Sequence, residues 1–458
     1  MADKKELFEN RSVLRAILEL AVPSVIGQIV LVIYNMADTL FVGMTNSDEL
    51  ITAVTVCMPA FMFLSAISNL FGVGAASVMA RAIGRNRKAK AENASSFALW
   101  GCLFMTLVYS LAVWLFRDRF IDILGGTNPT VHSAATEYMM CAVVLGGSVT
   151  AMNTLFAHLV RACGSSVLAS VGVTVGGLLN IALDPLFMFV ILPPGNEVLG
   201  AALATAISNL CALVYYILVV VIGRGKLAIH MKPSSGIFGD NIPKEVFKVG
   251  IAAFLMTLFE NISYAVLDKQ MAYAGTSAQA GVGVAKKANM LAHCIVRGMA
   301  QGVLPLIAYN FASGNRSRMK KVVYCTAAIS VGVAAMCTAG CLLFSREIIS
   351  VFIHTEGDSL YYGSRFLRIL CVGAPFSAFA YTVISFFQAT GRGEKSAVLA
   401  LLRKGVIDIP LMFLLGQFVP VYGIVAATPV TDIICSIVAF ALFTGFISRP
   451  ALNGFNLF

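Results

Sequence analysis

Two carboxylates lie inside stretches apolar enough to cross a bilayer. Asp38 falls in LAVPSVIGQIVLVIYNMADTLFVG (20–43) and Asp184 in VGVTVGGLLNIALDPLFMFV (171–190). A carboxylate in hydrocarbon is costly, and its presence there marks a functional site. Asn180 precedes Asp184 by four residues, so both lie on one helical face. Thr205 closes GAALAT (200–205). At about 1.5 Å of rise per residue, Asp38 lies about 9 Å, Thr205 about 10 Å and Asp184 about 12 Å below the helix ends on one side. Asn180 and Thr205 alone read as helix–helix hydrogen bonding. Two carboxylates at the same depth point further, because buried together they do not ionise together comfortably. Such a site holds a proton, or holds a hard cation such as Na⁺ through oxygen ligands. Pro23, about four turns before Asp38, removes a backbone hydrogen bond and gives that helix a place to bend.

The elements that position these groups follow from composition. Of 458 residues, 58% are hydrophobic and 12% charged, with mean hydropathy +0.84. Soluble domains carry about a quarter charged residues, so the expected class is an all-α polytopic membrane protein. Twelve apolar runs lie between residues 14 and 446. Spans 1–6 make an N-lobe (14–222), a polar Gly/Pro-rich linker follows (223–243), and spans 7–12 make a C-lobe (244–446). The termini, 1–13 and 447–458, fall on one side. Net charge +10 suggests nucleic acid only until the charges are located. Lys4, Lys5, Arg11, Arg15, Arg81–Lys90, Arg224–Lys248 and Arg316–Lys321 fill alternate loops, and the opposite loops are nearly free of Lys and Arg. By the positive-inside rule both termini are expected in the cytoplasm. The polar N-terminus MADKKELFENRSVLR lacks the form of a cleaved signal peptide.

The halves repeat weakly. At an offset of 230, Asp38 falls on Asp268 and Gly84 on Gly314; GAALAT (200–205) resembles GIVAAT (423–428), and ALDP (182–185) resembles VIDIP (406–410). Two six-span repeats around a central cleft are a transporter design. No nucleotide-binding motif is present, and the glycines of GVGAAS (72–77) suit close helix packing. The eleven cysteines lie mostly in spans without paired spacing, and the five histidines form no ligand motif, so neither a disulfide framework nor a resident metal or cofactor is expected.

These residues resemble the multidrug and toxic compound extrusion (MATE) family of antiporters. The resemblance rests on Pro23, Gln28, IYNMAD (33–38), VG (42–43), RACG (161–164), Asn180 with Asp184-Pro185, and GAALAT (200–205). The composition is similar to the prokaryotic branch with MepA-like and DinF-like members. The resemblance implies export of amphipathic, often cationic, compounds by alternating access, driven by H⁺ or Na⁺, from the inner membrane of a prokaryote by a monomer. It assigns the N-lobe cation site to Asp38, Tyr34, Asn180, Asp184 and Thr205, and bending of the first helix to Pro23. NorM-like members are similar in carrying an acid at Glu260. Their second acid, in span ten, is missing here, where AFAYTVISFFQATG (378–391) offers only Gln388 in its place. Asp268 and Asp408 are other membrane acids, with Lys269 and Arg403 as expected neutralising partners. Coupling is therefore expected in the N-lobe, with Glu260 attracting cationic substrate. Side chains that repack around apolar cations are aromatic or Met, and the expected substrate surface comprises Gln28, Met36, Met62, Met152, Asn153, Phe254, Met256, Glu260 and Tyr381. A lipid or polysaccharide flippase is the alternative transporter; a membrane-embedded enzyme would need a clustered His/Asp/Glu or Ser/His site.

Overall fold

A computed structural model of the protein describes residues 6–45, 47–123, 128–233, 235–353 and 357–448. Of the expected terminal segments 1–13 and 447–458, residues 1–5 and 449–458 lie outside the described residues. Among the described residues, nine helices are long and apolar enough to span a membrane: α1 (Val13–Gly43), α2 (Glu49–Gly84), α3 (Lys88–Leu115), α5 (Ser166–Ile191), α6 (Glu197–Ile222), α7 (Ile242–Ala274), α8 (Thr276–Ala312), α9 (Arg316–Leu343) and α12 (Tyr422–Ile447). Two further spans are bent. In α4, Pro129–Leu145 meets Gly147–Ala162 at 47°, and in α10, Asp358–Cys371 meets Ala374–Ala389 at 44°. The twelfth, α11, is broken: Gly393–Leu401 and Asp408–Phe418 flank a wider π-type turn at Leu402–Val406. The only strand-like feature among the described residues is one bridge, Arg224 to Leu227. The fold is thus all-α, with twelve spans in two six-helix lobes.

Each lobe has a long second span, a bent fourth and a fifth with a wide turn, so the weak repeat in sequence is a strong repeat in shape. Breaks fall where backbone bonding is weakest. Gly146 separates the halves of α4, and Gly373 followed by Pro375 separates those of α10. Side chains close several helix starts in the expected way. Asn128 Oδ1 accepts from the Thr130 N–H (3.0 Å) ahead of Pro129, and Asn315 Oδ1 accepts from the Arg318 N–H (3.1 Å).

The lobes meet through the halves of their helices nearest the basic loops. α1 packs on α8, where a Cβ on Gly302 would lie 2.6 Å from the Leu20 carbonyl oxygen. α2 packs on α7 with a Cβ on Gly250 overlapping the Leu70 carbonyl. Small residues let backbones approach this closely. Hydrogen bonds join the same seam: Asn69 Nδ2 donates to Thr257 Oγ1 (3.0 Å) and Ser77 Oγ to the Gln388 carbonyl (2.5 Å). The segment before α1 also crosses over. Phe8 stacks on Tyr309 with centroids 4.8 Å apart, and Arg318 Nε donates to the Phe8 carbonyl (2.8 Å). The linker is tied to α3, where Ser96 Oγ donates to Lys232 O (2.7 Å) and Trp100 Nε1 to Met231 O (3.1 Å).

Candidate functional site

In the N-lobe, α5 presents Asn180 and Asp184 one turn apart. Asn180 Nδ2 donates to Asp184 Oδ1 (3.0 Å) and to Thr205 Oγ1 of α6 (3.3 Å). All three are buried, Asp184 completely. Asp184 Oδ2 and Asn180 Oδ1 are enclosed without a hydrogen-bond partner. Two orphaned acceptor oxygens side by side are expensive in a membrane interior. α1 completes the group: Tyr34 and Asp38, both half-buried, are close enough for their charges to act on one another and on Asp184. The structure therefore brings together the five residues Asp38, Tyr34, Asn180, Asp184 and Thr205. Tyr138 on α4 belongs with them, buried and within electrostatic reach of Asp38, Tyr34 and Asp184. A second shell of amides stands beside Thr205, with Asn209 Nδ2 donating to its carbonyl (2.9 Å) and Asn153 Nδ2 to Asn209 Oδ1 (2.8 Å). The donor set is oxygen-rich and anionic, which suits a proton or a hard cation.

The corresponding part of the C-lobe is chemically different. On α11, Lys404 and Asp408 repeat the one-turn spacing, with Lys404 Nζ donating to Asp408 Oδ2 (3.1 Å) and Ser263 Oγ of α7 to the same oxygen (2.5 Å). Lys404 lies over the Tyr264 ring at 5.2 Å, and Lys286 over the same ring at 5.3 Å. Next to Lys404, Arg403 Nε donates to Asp432 Oδ1 of α12 (2.7 Å), and its guanidinium stacks on Tyr381 at 4.4 Å. Glu260 takes Arg297 of α8 through both oxygens at 2.8 Å, and Arg297 also reaches the Tyr381 hydroxyl (3.4 Å). Every acid here has a built-in cation.

Two expected partnerships change. Asp268 pairs with Lys286, not with Lys269. Asp408 pairs with Lys404 of its own turn, and Arg403 reaches Asp432 instead. Gln28 Nε2 faces Gln301 Oε1 across the lobes (3.4 Å), and Phe254 of α7 meets Phe63 of α2 edge-on at 5.6 Å. Met36 and Met62 are half-buried; Met152 packs into the N-lobe core and Met256 into the core at the seam. Pro23 lies inside α1, which runs unbroken from Val13 to Gly43. Beside it, Ser24 Oγ accepts from Arg161 Nε (3.1 Å). Lys287 of α8 acts electrostatically on Asp38 across the cleft. No group of three His, Cys, Asp or Glu placed to hold a metal occurs among the described residues.

The model of the MatE family matches the chain twice, over residues 23–186 and 252–414. The chain belongs to the MatE family. The two matches are the two lobes, beginning 229 residues apart, next to the offset of 230 read from the sequence. This MatE chain is 28% identical over 433 residues to the multidrug export protein MepA of Staphylococcus aureus (strain MSSA476), covering 94% of each. It is 27% identical over 435 residues to MepA of Staphylococcus haemolyticus (strain JCSC1435), covering 94% of this chain and 93% of that one. Among solved structures it is similar to a MATE in complex with MaL6 (TM-score 0.90, 24% identity, 98% of each chain) and to the outward-facing conformation of a multidrug resistance MATE family transporter (TM-score 0.90, 23% identity, 98% of each chain). As a MatE protein it is a multi-pass membrane transporter and not an enzyme.

Proposed function

We propose that the protein is a cation-coupled antiporter exporting amphipathic, often cationic, compounds, with coupling seated in the N-lobe. The observation that carries this reading is the contrast between two similar pairs. Each aspartate keeps one buried oxygen without a hydrogen-bond partner among the described residues, but Asp408 has the Lys404 ammonium one turn away, whereas Asp184 has only the neutral Asn180. A mobile cation, H⁺ or Na⁺, supplies at Asp184 what a tethered one supplies at Asp408. Binding there cancels charge on Asp38 and Asp184 beside the Tyr34 phenol, which biases how α1 packs on α5. Pro23 gives α1 its soft point for that change.

The basic end faces the cytoplasm by the positive-inside rule, so lobes joined at that end correspond to an outward-open arrangement. Rocking of one lobe against the other then exchanges access. Met36, Met62, Met152, Phe254, Met256 and Tyr381 supply adaptable and aromatic surface, with Gln28 and Asn153 as polar contacts. With Arg297 clasping it, Glu260 offers its charge to a substrate only if that pair opens. The related MepA proteins are named for multidrug export, which supports the substrate class. The test is uptake of a lipophilic cationic dye into proteoliposomes under an imposed pH or Na⁺ gradient. Accumulation above equilibrium under one gradient is expected; passive equilibration under both would refute coupling.

A further inference from the structure

Where the lobes meet at the basic end they form a half-open recess of about 440 Å³. Its wall carries Arg81, Arg85, Arg87 and Lys90 from the N-lobe and Lys248 and Arg392 from the C-lobe, against one carboxylate, Glu245. Glu245 is already shared, receiving Arg81 Nη2 (3.0 Å) on one oxygen and Lys90 Nζ (2.6 Å) on the other. Lys248 has Glu394 at 3.1 Å. Three arginines, Arg85, Arg87 and Arg392, bring their charge to the same wall in excess of these pairs. Orientation in the membrane asks only for cations in solvated loops. It does not ask that they converge from two lobes on one recess, with the Arg81 and Lys90 side chains only 13% and 12% exposed at its wall and Arg85, Arg87 and Arg392 exposed around it. The turn after α10 is also shaped to the site. Gly391 lies on the left-handed side (φ +74), which favours glycine, and a Cβ there would meet the Arg81 guanidinium.

We propose that this cavity binds a phosphate-bearing anion. Arginine forks match phosphate oxygens in pairs, basic pockets between transmembrane helices on the cytoplasmic side take lipid head groups, and the volume lies in the range of small-ligand sites. Val78, Ala82 and Phe311 give the cavity an apolar part that accepts the glycerol of a head group as readily as solvent. Because the cations come from both lobes, the anion bridges them. It binds the arrangement in which this end is shut and favours that arrangement by its differential affinity. The site is independent of the coupling reading, since it needs neither a gradient nor substrate.

The test has two arms on the full-length protein in an uncharged detergent. Calorimetric titration with inorganic pyrophosphate probes a soluble source, and native mass spectrometry after exposure to phosphatidylglycerol or phosphatidylcholine probes a lipid source. Saturable binding in either arm is expected, with phosphatidylglycerol retained over phosphatidylcholine if the source is lipid. Arg85→Gln/Arg392→Gln should weaken the binding at least tenfold. Arg85→Lys/Arg392→Lys keeps the charge and loses the forks, and should also bind more weakly than wild type. No binding in either arm, or a Lys pair that binds as wild type, overturns the site and leaves only diffuse positive potential. If the Gln pair does not give a single elution peak, the Lys pair decides alone.

Discussion

At the scale of residues, the account turns on one exchange between similar positions: neutral Asn180 before Asp184, cationic Lys404 before Asp408. Asn180→Lys would give the N-lobe its own tethered ammonium. Dye binding should persist while gradient-driven accumulation falls to background, and Asn180→Gln, which keeps an amide, should fall less. Equal accumulation by Asn180→Lys and wild type would show that Asp184 needs no mobile cation. The Arg403–Asp432 pair makes a different prediction. Both side chains are 1% exposed, and removing one partner of a buried ion pair costs about 3–5 kcal/mol. Asp432→Asn should therefore lower the thermal unfolding midpoint in detergent markedly, with Arg403→Met/Asp432→Leu recovering much of the loss. A double variant no better than the single would show that no stranded charge is responsible. Asp38, Asn180, Asp184 and Thr205 were legible from depth and face along single helices, and Tyr34 only from the family resemblance. Tyr138, Arg297, Lys404 and Asp432 were not, because sequence spacing places a residue on its own helix and says nothing of which neighbour it turns toward. A guanidinium such as Arg297 inside an apolar span was nonetheless a signal that Glu260 would be paired.

At the scale of elements, the seam depends on glycine. A Cβ on Gly250 would overlap the Leu70 carbonyl, whereas one on Gly340 meets nothing within 4 Å. Gly250→Val should push α7 from α2 and open the basic end, read as a longer distance between spin labels placed on the two lobes there; Gly340→Val should leave that distance unchanged. No change in Gly250→Val would mean the seam is not set by this contact. Twelve apolar runs gave the helix count because hydropathy reports burial in lipid regardless of packing. The bends at Gly146 and Gly373 leave the run apolar and open no gap in it, and the wide turn at Leu402–Val406, though it carries Arg403 and Lys404, lies inside a run that stays apolar on both sides.

At the scale of the whole molecule, the family match in both lobes makes the chain a MatE transporter, and the outward-open state proposed above rests on the basic end facing the cytoplasm. Orientation is testable by itself: a reporter fused after the last residue, or inserted near Gly225, should be active only in the cytoplasm, and an external signal at either place would reverse the assignment. The repeat could be read from a few aligned residues because their order was consistent even though each match was weak. The missing acid in span ten already pointed to unlike lobes, but the Lys404–Asp408 pair went unread because Arg403 stood next to it as the expected partner. The most direct measurement is dye accumulation in proteoliposomes by Asp184→Asn beside wild type, under the gradient that drives wild type. Asp184→Asn keeps size and one hydrogen bond to Asn180 and loses the titratable charge. The account predicts that it binds dye and lets it equilibrate but does not concentrate it. Concentration of the dye at the wild-type rate would contradict N-lobe coupling through Asp184.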